Sequence, residues 1–196
     1  MFDLTILDLS SAAGLTATGF LTFNILLGML LSTAYKRTQI WKSFPKNLQK
    51  ISVYQLHNIT AYIALTLVII HPLLLLLDSS TQFTFIDIIF PINAPKQKLF
   101  VALGTLSLYA IITVVITSQK AVKKRMSFRL WKNIHLISYL TAILFVIHGV
   151  AMDPLLKDRS IDYLDAEKLF PELCLVAIVV ATIFRYRYHL KKKKTL

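Results

Sequence analysis

Five stretches of this chain are apolar over about the length of helix that crosses a bilayer: 14–34, 52–77, 99–118, 133–152 and 169–184. A spanning helix needs roughly 20 such residues, and a chain of 196 has little left over for anything else. Hydrophobic residues make up 56% of it, charged residues only 16%, and the mean hydropathy is +0.62. The apolar residues come in runs rather than in the stripes of a soluble domain. That excludes a soluble globular protein and predicts an all-α integral membrane protein, a five-span helical bundle. The fifth stretch is the shortest and carries Glu172 in its first turns, so its start is the least sharply defined.

A formal charge of +12 invites a nucleic-acid reading, but its distribution argues for topology instead. Lys36, Arg37, Lys42, Lys46 and Lys50 lie between the first and second spans. Lys120, Lys123, Lys124, Arg125, Arg129 and Lys132 lie between the third and fourth, and Arg185, Arg187 and the lysines at 191–194 follow the fifth. Five crossings put these 17 of the 22 basic residues on one side, and all ten acidic residues on the other. The positive-inside rule then predicts an outside N-terminus and an inside C-terminus. The chain reads as multi-pass in a plasma membrane, taken as a bacterial inner membrane, with anionic lipid and not nucleic acid facing its basic loops. Residues 1–13 read as a short outside segment, 14–185 as the membrane domain and 186–196 as a basic cytoplasmic tail. No basic stretch precedes the first span, which reads as retained rather than cleaved. The single cysteine, Cys174, excludes an internal disulfide.

Four of the five histidines fall inside spans: His57 and His71 in the second, His135 and His148 in the fourth. A lone histidine on an apolar helix is usually a packing residue, but four costly intramembrane ionisable groups point to function. Both spans run from inside to outside. His57 and His135 share an inner level, and His71 and His148 an outer one. Spacings of 14 and 13 residues rise about 21 and 20 Å along a helix, which fits a hydrocarbon core of about 30 Å. Fourteen residues bring His71 back within about 40° of the face of His57, whereas thirteen leave His148 about 140° from His135. Local rewinding such as a π-bulge is therefore expected in the fourth span. Pro72 predicts a kink around 68–72. The third span has neither charge nor histidine and reads as scaffolding. The apolar loop at 78–98 reads as a re-entrant or interfacial cover over the outer end.

Three functional readings compete. A proton relay needs carboxylates along its path, and a metal transporter adds carboxylate or thiolate ligands; the spans hold only Glu172 near an end and the lone Cys174. Bis-histidine heme needs one imidazole from each side of a macrocycle at one depth, in apolar surroundings, and four histidines on two co-directional spans supply two such sites. No glycine-rich phosphate loop is present, so a flavin or nicotinamide would have to belong to a partner chain.

Arg129-Leu130-Trp131, then Ile134-His135, Tyr139 and His148-Gly149, with the 14- and 13-residue histidine spacings, resemble the ferric-reductase-like transmembrane domain family. Its members include ferric reductases, NADPH oxidase membrane domains and the heme membrane subunit of periplasmic methionine sulfoxide reductase. The resemblance covers about 14–185. It implies two b-type hemes between the second and fourth spans, His57 and His135 binding the inner iron and His71 and His148 the outer. It further implies electron transfer from a cytoplasmic donor, a separate flavin reductase, to an outer acceptor such as ferric chelate or oxygen. A quinol-linked subunit serving a periplasmic partner reductase is the alternative, and a non-redox metal or proton transporter the second. Whether the chain is itself an oxidoreductase or only its cytochrome b subunit is left open. The family usually has six spans and often a fused flavin domain; this sequence shows five spans and ends in a basic tail. Arg129 and Lys132 are candidates to meet inner heme propionates, with Tyr54 and Gln55 beside them, and Lys157 and Arg159 are candidates on the outer side. Tyr62 and Tyr139 are candidates for hydrogen bonds near the hemes.

Overall fold

The computed structural model describes residues 5–156 and 166–194, which are helical with no strand among them. In chain order they form α1 (Ile6–Leu31), a 3-10 turn at Tyr35–Arg37, α2 (Gln39–Ser43), α3 (Lys46–Gln49) and α4 (Val53–Leu75). Then come α5 (Phe85–Ile89), a 3-10 turn at Pro91–Asn93, α6 (Lys98–Ser118), α7 (Lys120–Lys123), α8 (Phe128–Leu156) and α9 (Ala166–Lys194). Five helices, α1, α4, α6, α8 and α9, are long and apolar enough to cross a membrane. The protein is a multi-pass helical membrane bundle.

The first helix begins at Ile6, well inside the stretch read as a terminal segment. A capping box starts it: Asp8 N–H donates to Thr5 Oγ1 at 3.1 Å and Thr5 N–H donates to Asp8 Oδ2 at 3.0 Å. Two free N–H groups at the helix start are thereby satisfied, and the helix can begin before the apolar run does. The early start matters, because it brings Ser10 into the bundle.

α1 is the central element. It is 44% buried over its most apolar window, against 17–28% for the other four spans. Its Ala17, Leu21, Ile25 and Met29 meet Ala64 and Val68 of α4, Ile111 of α6, Ala142 and Phe145 of α8, and Ile178 of α9 in one core. The outward faces are rich in exposed leucine, isoleucine and valine, as expected where lipid replaces water. Buried hydroxyls in this core bond back along their own helices, Thr18 to the Gly14 carbonyl at 3.0 Å and Ser107 to that of Leu103 at 2.8 Å. No buried hydroxyl need then be left unpaired in an apolar medium.

Two antiparallel hairpins build the bundle. α1 lies against α4, with Ser10 beside His71 and Asn24 beside His57. α6 lies against α8, with Phe100 beside His148 and Ser118 beside His135. α9 runs parallel to α1, Phe170 packing on Gly19 at one end and the Ala34 N–H donating to the Tyr188 hydroxyl oxygen at the other. Asn24 joins the first hairpin: its Nδ2 donates to the His57 carbonyl and, at 2.9 Å, to Thr60 Oγ1.

The apolar loop folds over one end of the bundle, as a cover should. Phe83 packs with Leu75 and Ala94, while Thr105 Oγ1 donates to the Ile88 carbonyl at 2.9 Å and Tyr109 O–H to that of Ile89 at 2.7 Å. Thr84 caps α5 through Asp87 and holds that carboxyl below the usual carboxylate range by hydrogen bonding. That end carries the acidic loops. The opposite end, reached by the 35–51 and 119–127 connections, is called the basic end below.

Replacing Asn24 by Leu should lower the thermal unfolding midpoint in detergent, with a loss of about 0.5–2 kcal/mol typical of an interhelical hydrogen bond in a membrane protein. An unchanged midpoint would show that Asn24 does not tie the hairpin.

Candidate functional site

All four span histidines are half-buried and face the space between α4 and α8. They meet in two pairs. The ring centres of His57 and His135 are 6.1 Å apart with planes at 63°, and those of His71 and His148 are 6.0 Å apart at 84°. The pairing by depth read from the spacings is the pairing seen here. α8 is α-helical throughout, so the expected π-bulge is absent.

Each imidazole is held at Nδ1 from the helix behind it. His57 Nδ1 lies 3.0 Å from the Asn24 carbonyl, His71 Nδ1 2.8 Å from that of Ser10, and His148 Nδ1 2.7 Å from that of Phe100. A carbonyl can only accept, so in these three the Nδ1 carries the proton and Nε2 keeps its lone pair. Such a bond fixes the tautomer, orients the ring and raises its basicity as a metal ligand. His135 differs: its Nδ1 partner is a hydroxyl, Ser118 Oγ, at 3.3 Å.

The same helices carry a small residue beneath each ring. A Cβ built on Gly14 would lie 3.1 Å from His71 Nδ1, one on Gly28 3.3 Å from His57 Cε1, and one on Gly104 2.7 Å from His148 Cε1. In each case the accepting carbonyl belongs to the residue one helical turn before the glycine: Ser10, Asn24 and Phe100. Gly14 and Gly28 are spaced as His71 and His57 are, fourteen residues apart, so the antiparallel hairpin repeats one contact at two depths. On α6 the matching positions are Gly104 and Ser118.

The surroundings of the two pairs differ. At the basic end Trp131 stacks on His135 (5.1 Å, 25°), and Lys123 Nζ lies 3.5 Å from the centre of the Trp131 ring. Trp131 Nε1 is buried without a hydrogen-bond partner among the described residues. Arg129 and Lys132, the cations expected here, are exposed on the first turns of α8, as are Tyr54 and Gln55 on α4; Lys123 of α7 is the cation near the ring. Tyr139 O–H accepts from Arg185 Nη1 at 2.6 Å, and Tyr62 O–H pairs with the Gln119 side chain at 3.0 Å, facing the α6 terminus rather than the histidines. At the acidic end the second pair opens on a cavity of about 110 Å³. Ser10, Gly104, Glu167 and Lys168 line it, with Phe83 and Ile88 from the cover. Lys157 and Arg159 lie outside the described residues.

Sequence reading missed the residues that hold the rings. The third span, read as scaffolding, supplies a carbonyl, a hydroxyl and a glycine seat. The equal spacing of Gly14–Gly28 and His57–His71 was the available signal.

An imidazole nitrogen sits about 2 Å from a bound metal, which places two rings on opposite sides of one metal roughly 6 Å apart between centres. Both pairs meet that spacing. Among the described residues no group of three or more His, Cys, Asp or Glu converges, so a cage built from protein ligands alone does not fit. A metal whose remaining ligands come with it, as in a metallated macrocycle, does fit.

A family model described as "Ferric reductase like transmembrane component" matches residues 13–146, two thirds of the chain and three of the four histidines; His148 lies two residues beyond the match. No curated protein matches the chain.

Glycine-to-alanine exchange inside a helix ordinarily gains about 1 kcal/mol. Gly149→Ala, with nothing within 4 Å of the new methyl, should leave the thermal midpoint unchanged or raise it. Gly104→Ala must displace His148 and should lower the midpoint; equal behaviour of the two variants would remove the seat.

Proposed function

The chain belongs to the ferric-reductase-like transmembrane family, and we propose that it carries electrons across the bilayer through two bis-histidine b-type hemes. His57 and His135 would hold the one at the basic end, His71 and His148 the one at the acidic end. The observation that carries this reading is the pair of 6 Å imidazole–imidazole gaps, with Nδ1 engaged on every ring. When bound, heme iron supplies reversible one-electron exchange.

The chain's own residues do the rest. Nε2 of each ring is the nitrogen left for the metal, and the carbonyl behind Nδ1 of His57, His71 and His148, or the Ser118 hydroxyl behind that of His135, keeps it aimed there. Thirteen and fourteen residues of helix set the two pairs about 20 Å apart along the span, which divides the crossing into short steps. Apolar spans exclude water from both levels and keep electron exchange to the two ends. With two protein ligands per metal no coordination position is left for a small substrate, so an acceptor such as ferric chelate or oxygen takes its electron at the rim of the acidic-end site. The basic end, with the lysines of the 35–51 and 119–127 connections, faces the cytoplasm by the positive-inside rule and suits an acidic flavin reductase as donor.

A pyridine hemochrome assay with protein quantitation tests the reading. We expect about two heme b per chain, and about one after His71→Ala or His148→Ala. His57→Ala and His135→Ala should each remove the other heme. Loss of the same heme from His57→Ala and His148→Ala would overturn the pairing, and no Soret band from heme-replete cells would overturn the reading itself.

A further inference from the structure

Three of the four imidazoles share one kind of seat: a helical carbonyl accepts from Nδ1, and the residue four places on is a glycine. The fourth seat is built differently. On α6 the position matching Gly104 is Ser118, the last residue of the helix, and the carbonyl four places back is that of Val114. His135 Nδ1 meets the Ser118 hydroxyl instead, at 3.3 Å against 2.7–3.0 Å for the other three. That is just past the usual N–H···O range of about 2.7–3.2 Å.

The hydroxyl is available for this contact because no carbonyl holds it. Ser107, Thr113 and Thr117 of α6 each donate to a carbonyl one turn back, at 2.7–2.8 Å. Ser118 Oγ, among the described residues, bonds to His135 alone. The Val114 carbonyl meanwhile accepts from Thr117 Oγ1 at 3.2 Å. Ser118 thus stands where the other seats have a glycine, and its hydroxyl takes the carbonyl's part.

The strength of this bond bears on the ligand behind it. For Nε2 to bind a metal, the proton of a neutral imidazole sits on Nδ1, so the hydroxyl accepts. A strong acceptor at Nδ1 makes Nε2 more basic and favours the more oxidised metal; a long bond to a neutral hydroxyl does so less. Trp131 stacks on the same ring but adds no acceptor, since an indole N–H only donates.

We propose that Ser118 is a positioning residue for His135, standing in the fourth glycine seat and setting the reduction potential of the basic-end heme above the value a carbonyl seat would give. This rests on the reading of a heme between His57 and His135. The effect is confined to one level, because both rings at the acidic end are held by carbonyls. Uptake of an electron from the cytoplasmic donor becomes more favourable, and the outward step correspondingly less so.

The test uses the full chain in detergent with Ser118→Ala, Ser118→Gly or Ser118→Thr. Each is made in the otherwise wild-type chain, in His71→Ala, which keeps the basic-end heme, and in His135→Ala, which keeps the other. Midpoint potentials are read by spectroelectrochemical titration. Ser118→Ala removes the acceptor and should favour ferrous over ferric iron about tenfold, a rise of about 59 mV for one electron. Ser118→Gly opens the Val114 carbonyl to Nδ1 and should shift the potential the opposite way. Ser118→Thr keeps the hydroxyl and should restore the wild-type value, and the acidic-end heme should not move in any variant. Lost packing alone would shift the alanine and glycine variants in the same direction. Shifts of one sign, no shift, or equal shifts at both levels would therefore overturn the proposal. A wild type that takes up no heme overturns the bis-histidine reading instead. The seat is then judged on histidine nitrogen NMR spectra of the metal-free chain. A His135 Nδ1 resonance displaced in Ser118→Ala and restored in Ser118→Thr upholds it, and an unmoved one removes it.

Discussion

A backbone carbonyl bonded to an imidazole, with a glycine one turn along to let the ring approach, is the contact on which the bundle depends. In an apolar medium each polar group must find a partner inside the protein. A helical carbonyl already accepts from the amide four residues on, but it keeps a second lone pair. That lone pair is reachable only where no side chain stands in the way. Glycine at 14, 28 and 104 clears the path, and the carbonyls of Ser10, Asn24 and Phe100 accept. The contact sets helix register as well as ring orientation. Sliding α1 along α4 by one residue would unseat both of its histidines together.

The two hairpins share this plan but do not carry it equally. α1 and α4 match fourteen residues against fourteen, so both contacts have a glycine and a carbonyl. α6 and α8 match fourteen against thirteen, and one seat gives way: His135 finds a serine hydroxyl at 3.3 Å in place of a carbonyl. A hydroxyl can donate as well as accept, so it fixes the tautomer less firmly. Trp131 stacks on the ring and contributes positioning that the hydrogen bond does not. The two levels thus hold their imidazoles by different means within one architecture.

Much of this was legible in the sequence because the relevant signals are long or one-dimensional. Apolar runs of about 20 residues gave all five spans, and the equal depths of His57 with His135 and His71 with His148 followed from two helices pointing the same way. What stayed hidden depended on contacts between helices. Gly14 and Gly28 look in the sequence like any small residues of an apolar helix, with no sign of which rings they seat. α6, without charge or histidine, looked inert because what it contributes is mostly backbone and an absent side chain. The π-bulge expected from the thirteen-residue spacing is not there: the fourth span is α-helical throughout. Lys123 was nearer the ring than Arg129 and Lys132 because α7 folds back beside α8, a turn that no periodicity marks.

The fifth helix gives the two levels their separate electrostatic settings. α9 lies along α1 and closes the bundle against α8, without a histidine of its own in the span. It carries two cations into the fold, Lys168 and Arg185, seventeen residues or about 26 Å of helix apart. That is close to the separation of the histidine levels. Arg185 reaches Tyr139, one turn beyond His135 on α8, and Lys168 lines the cavity at His71 and His148. One donates to a phenol inside the bundle, and the other borders the acidic-end cavity. A group that gains negative charge on reduction is stabilised by a nearby cation, more strongly where water is scarce. α9 thus places positive charge near both levels, while α4 and α8 supply the imidazoles and α1 and α6 hold them in place.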